Sequence, residues 1–184
     1  ALPSQKGEKY TERIGWLFIL SSLLNIIWLF LWQYEYLAVS TVVMFLLLAS
    51  LLAIYLRLNV GKSPVPLREK LAVHVPFSVY LGWITIASIA NVAVTLVSLN
   101  WDGLGIAAES WAMLVIAVAL LIAILVVFTR KDIAYGLVII WALIGISVNQ
   151  SGYQNIVLIT EVSAVIVAVA LVAAILLTRF RKQK

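Results

Sequence analysis

Apolar residues fall into six runs, Ile14–Trp32, Leu37–Leu56, Val73–Leu99, Ala108–Phe128, Ile133–Val148 and Ile156–Thr178, separated by short polar stretches. A helix rises about 1.5 Å per residue, so roughly 20 apolar residues cross the hydrocarbon core of a bilayer. In that medium each backbone N–H and C=O must find a partner within the protein, which an α-helix provides for itself. The pattern therefore predicts an all-α, polytopic integral membrane bundle of about six transmembrane helices, with the lipid bilayer as its first partner. The turn after Trp32 and the turn at Arg130–Asp132 are short enough to make antiparallel hairpins. Between the second and third runs, Gly61, Ser63, Pro64 and Pro66 interrupt any helix, because proline lacks an N–H and disfavours helix in the residue before it. Leu67–Val75 reads as a short interfacial helix leading into the third run. Pro76 either marks the first turn of that run or kinks it and frees a carbonyl.

The polar stretches carry a charge pattern. Lys6, Lys9 and Arg13 precede the first run, Arg57, Lys62, Arg68 and Lys70 follow the second, Arg130 and Lys131 follow the fourth, and the tail Arg179–Lys184 adds four positive charges. The alternate connections hold Glu35, Asp102 or no charge at all. Lysine and arginine collect on the cytoplasmic side, so six crossings with both termini inside is the expected topology, in a bacterial inner (cytoplasmic) membrane. The basic patches then suit anionic headgroups rather than nucleic acid. Composition agrees, with 64% hydrophobic and 11% charged residues against about half and a quarter in soluble domains. Four segments follow: a polar N-terminal segment 1–13, three-helix portions over 14–99 and 100–178, and a basic tail 179–184. Ala1 is not an initiator methionine and residues 1–13 lack the apolar core of a signal peptide, so a longer chain is expected.

Candidate chemistry is sparse. The chain has no cysteine and one histidine, His74, which removes thiolate chemistry and leaves no set of imidazoles for a metal. No catalytic set of nucleophile, base and acid can be assembled, and the expected protein is not an enzyme. Two stripes stand out at helical spacing: Ser21, Asn25, Trp28 and Trp32 in the first run, and Tyr80, Trp83, Ala87 and Asn91 in the third. An amide without a partner in hydrocarbon costs several kcal/mol. Asn25 and Asn91 are therefore expected to bond each other or a backbone carbonyl, either as glue between helices or as the polar points of a pocket walled by Trp28, Tyr80 and Trp83. Trp32 and Trp101 sit where interface anchors belong. His74, at the entrance of the third run, could cap a helix end, meet headgroups, titrate or ligate a haem or chlorophyll axially. Glu161, about a turn and a half inside the sixth run, is an intramembrane acid, functional or snorkelling. Ser147, Asn149 and Gln150 read as a solvated rim.

Two of these segments carry a resemblance. Leu24–Trp32, LNIIWLFLW, resembles the Leu-Asn-x-x-Trp motif of the tryptophan-rich sensory protein or translocator protein (TspO/MBR) family. Tyr80–Asn91, YLGWITIASIAN, resembles that family's Tyr-Leu-Ala-Trp pattern, with an Asn eight residues after the Trp. The family's proline directly precedes the tyrosine, whereas Pro76 here lies four residues earlier. The resemblance covers about Ile14–Leu99; it implies a divergent relative with extra C-terminal helices and without the family's N-terminal helices and pocket-closing loop. It further implies binding of porphyrins, other tetrapyrroles, sterols or similar hydrophobic small molecules, with Asn25, Trp28, Tyr80, Trp83 and Asn91 as ligand-binding residues. A sensory or carrier protein for such a ligand is the leading expectation. The alternatives are an accessory subunit of a larger, pigment-binding membrane complex or homo-oligomer, motivated by the polar-poor last three runs, and a secondary transporter.

Overall fold

The computed structural model describes the backbone of residues 9–182 and the side chains of residues 14–178. The charged side chains of segments 1–13 and 179–184, used above for topology, lie outside the described residues. Six helices account for the apolar runs: α1 (Lys9–Gln33), α2 (Leu37–Arg57), α3 (Leu67–Ser98), α4 (Ala108–Arg130), α5 (Ile133–Asn149) and α6 (Gln154–Lys182). Five of them are long and apolar enough to cross a membrane, and the sixth, α5, is an apolar helix of 17 residues. The protein is an all-helical polytopic membrane bundle.

The helix ends follow from single residues. Glu35, Asn59 and Asn100 adopt left-handed backbone, and the N–H after each turns back to a carbonyl five residues earlier (Tyr36 to Leu31 at 2.9 Å, Val60 to Tyr55 at 3.3 Å, Trp101 to Leu96 at 3.1 Å). This closure satisfies carbonyls left open at a helix end, and Asn tolerates the conformation better than most residues. The predicted interfacial helix is not separate. Leu67–Glu69 runs through a wide turn at Lys70–His74 into Val75–Ser98 without leaving helical backbone. There the Val75 N–H bonds the Lys70 carbonyl, five residues back. Pro76 explains the widening: its ring would crowd the carbonyl four residues earlier and it has no N–H to give it. Of the two readings of Pro76, the structure contains a local bulge within a continuous helix.

Packing proceeds α1 on α2, α2 on α3, α3 on α5, α5 on α6 and α6 on α4. Small residues set the two central contacts. A Cβ on Gly82 of α3 would stand 3.2 Å from Val138, and one on Gly136 of α5 would stand 2.8 Å from Leu171. Close approach of this kind is the main attraction open to helices in lipid, where apolar side chains lose nothing by facing acyl chains. The shared core holds Met44, Leu47 and Ile54 of α2, Ile84 of α3, Ala123 of α4, Ile139 and Leu143 of α5 and Val167 of α6. Helix α1 meets mainly α2 and leaves Trp16, Ile19 and Phe30 more than 60% exposed, the expected state of a lipid-facing helix.

Candidate functional site

The two aromatic–amide stripes do not come together. Asn91 is buried, and its Oδ1 accepts from the hydroxyls of Thr41 and Ser40 (3.3 Å from Ser40), both on α2. Thr41 also shares a 2.7 Å hydrogen bond with Thr95, and Thr95 donates to the Leu37 carbonyl at 3.1 Å. Asn25 stands half-buried on α1 and has no hydrogen bond among the described residues. The expected Asn25–Asn91 pairing is corrected for a plain reason: α2 packs on both α1 and α3, and its hydroxyls reach Asn91 first. Trp28, half-buried, lies 6.0 Å from Trp32 and its indole N–H is buried without an acceptor. Tyr80 is half-buried beside the core. Trp83 is 46% exposed and stacks at 5.3 Å on Trp141 of α5, facing outward. Because Thr41 and Ser40 keep other acceptors, replacing Asn91 by leucine should lower stability by only about 1 kcal/mol. Thermal unfolding in detergent reads this, and a loss several times larger would mean that the amide organises more than α2 and α3.

The concentrated polarity lies instead at the basic end of the bundle, where α2 ends and α3 and α5 begin. Asp132, the residue capping α5, is 6% exposed. Its Oδ2 accepts from the Tyr55 hydroxyl at 2.8 Å and the Ser78 hydroxyl at 2.6 Å, and its Oδ1 accepts from the Tyr135 N–H at 3.2 Å. Tyr135, itself buried, holds its hydroxyl 3.2 Å from Thr85 of α3. The Arg130 guanidinium sits over the Tyr55 ring, 5.7 Å from its centre. One carboxylate thus ties three helices, α2, α3 and α5, through charge-assisted bonds in a site shielded from water. Gly61 explains how the preceding loop fits beneath: its backbone is left-handed, and a Cβ there would fall 1.7 Å from the Arg130 carbonyl oxygen.

Beside this cluster opens a cleft of about 690 Å³ between α3, α5, α6 and the loop 60–65. Val75, Ile133, Leu137, Leu171 and Ile175 make apolar walls, His74, Ser78 and Asp132 provide polar points, and Lys70 and Lys131 line it as well. His74 is 4% exposed, with Nε2 3.9 Å from a Glu69 carboxylate oxygen, so it meets the protein rather than headgroups. Glu161 is exposed on α6 and accepts from Ser147 at 3.0 Å. Ser147 is therefore no part of a solvated rim; the α5–α6 hairpin buries it. At the opposite end Trp111 donates its indole N–H to Gly103 at 2.7 Å and stacks on Trp101 at 5.0 Å, fixing the loop between α3 and α4.

Sequence reasoning passed over Tyr55, Ser78, Asp132 and Tyr135. Asp132 reads as a turn residue and Tyr55 as one more apolar position, and the signal available was the N-cap pattern of Asp three residues before Tyr135. Compared with known proteins, the chain matches the sequence model of a family described as TSPO-like protein over residues 1–177. The match takes in α4, α5 and most of α6 as well as the first three helices. No curated protein and no solved structure matches it.

Proposed function

This chain belongs to the TSPO-like protein family, and from that premise we propose that it is a membrane receptor or carrier for a hydrophobic small molecule with a flat tetrapyrrole or sterol-like body. The ligand sits in the cleft between α3, α5 and α6, the basic end faces the cytoplasm, and the protein performs no chemistry on what it binds. The cleft carries this reading. Its size lies within the range of about 300–1,000 Å³ usual for small-molecule sites, and apolar walls with a few convergent polar groups are the usual composition of such sites. The family's expected pocket residues Asn25, Trp28, Tyr80, Trp83 and Asn91 do not line this cleft and stay a rival location. The exposed apolar faces of the last three helices, with Leu121, Leu137 and Val165 outward, suit lipid, so a subunit role is not needed to explain them.

Titrating the full chain in nanodiscs with protoporphyrin IX should quench tryptophan fluorescence saturably. Ala134 lines the cleft and is half-buried; Ala134→Phe should weaken binding at least tenfold, while Trp83→Ala should leave the affinity unchanged. The reverse pattern would move the ligand to the aromatic stripe of α3. Absence of saturable quenching by folded protein would end the reading for porphyrins.

A further inference from the structure

Resting on that reading, we propose that the cleft selects for ligands with an acidic head, and that Lys70 and Lys131 are its specificity-determining residues. Neither lysine has a carboxylate partner within ion-pair distance among the described residues. They come from different elements, Lys70 from the wide turn that Pro76 imposes on α3 and Lys131 from the left-handed residue ending α4. Yet both line one cavity. Both are exposed, and they belong to the loop-side mouth with Ser63 and Pro64. Leu137 and Leu171 lie one or more helical turns deeper and are apolar.

The carboxylate that also lines the cleft does not cancel this charge at the mouth. Asp132 spends both oxygens on Tyr55, Ser78 and the Tyr135 N–H and is buried among them. It has little left to offer a cation. An amphiphile with its apolar body inward and its carboxylate or phosphate outward suits the apolar walls and the basic mouth. A neutral molecule of the same shape would leave two ammonium groups unused at the cleft mouth.

The test pairs acid and neutral forms of two frameworks, in nanodiscs of phosphatidylcholine so that the bilayer supplies no competing anion. Protoporphyrin IX is compared with its dimethyl ester, and cholesteryl hemisuccinate with cholesterol as competitors for the porphyrin site. The acid forms should bind at least tenfold more tightly on both frameworks. The double variant Lys70→Gln, Lys131→Asn should abolish the preference by weakening the acid forms at least tenfold relative to the neutral forms, and Lys70→Arg, Lys131→Arg should keep it. Asn is chosen at position 131 because it accepts left-handed backbone. Equal binding of acid and neutral forms, or a preference that survives in the double variant, overturns the inference but leaves the ligand reading intact. Failure of every form to bind overturns the ligand reading, and the inference with it.

Discussion

Replacing Asp132 by alanine should lower the stability of the bundle by about 3–5 kcal/mol. The carboxylate receives the Tyr55 hydroxyl, the Ser78 hydroxyl and the Tyr135 N–H, and its own burial leaves no water to take over. A buried polar group left without its partner costs roughly 1–3 kcal/mol. The lower part of the summed range applies, because Ser78 can turn its hydroxyl to a carbonyl in its own helix. Asp132→Asn should cost far less, about 1 kcal/mol, since its carbonyl still accepts and the two hydroxyls can rotate to accept from its amide. Thermal or denaturant unfolding in detergent compares the three proteins. If alanine unfolds with the wild type, the carboxylate does not tie α2, α3 and α5 as described.

Gly61→Ala should loosen the loop that walls the cleft. The new methyl group would overlap the Arg130 carbonyl oxygen, which is backbone and cannot swing away, and the left-handed φ of +77° adds strain of its own. Lifting the loop is the available relief, and it frees the backbone on either side of the already exposed Lys62 and widens the cleft. Trypsin should then cut after Lys62 at least tenfold faster, a change equivalent to about 1.4 kcal/mol in the opening equilibrium. Protoporphyrin IX should bind more weakly in step. Gly152→Ala, where a methyl group meets nothing within 4 Å, is the control and should behave as the wild type. Unchanged cleavage in Gly61→Ala would mean that the loop does not rest on the α4–α5 turn.

The polar stripes were legible in the sequence, but not what each of their residues would meet. The Asn91 side-chain oxygen accepts from Thr41 and Ser40 rather than meeting Asn25, and its amide nitrogen is buried without an acceptor among the described residues. The spacing Tyr80–Trp83–Asn91 places these residues on one side of a helix, yet Trp83 faces outward to Trp141 while Asn91 is buried. One helical face spans enough arc for both outcomes, and only the neighbours' positions choose. Asp132 shows the converse. The chain near it marks it at most as a helix cap, and its partners Tyr55 and Ser78 lie 77 and 54 residues away.

The amino-acid sequence alone determined the lipid environment, the six helices and most of their ends. These depend on runs of apolar residues, on the backbone's need for internal partners, and on prolines and left-handed asparagines that act where they stand. The tertiary structure decided which helices touch, which way each is turned, and so which polar atoms meet. In lipid, an outward Leu and an inward Leu cost nearly the same, so the apolar pattern carries little record of rotation or neighbour order. Small residues such as Gly82 and Gly136, together with the few buried hydrogen bonds, settle that choice, and they act only once the helices are side by side.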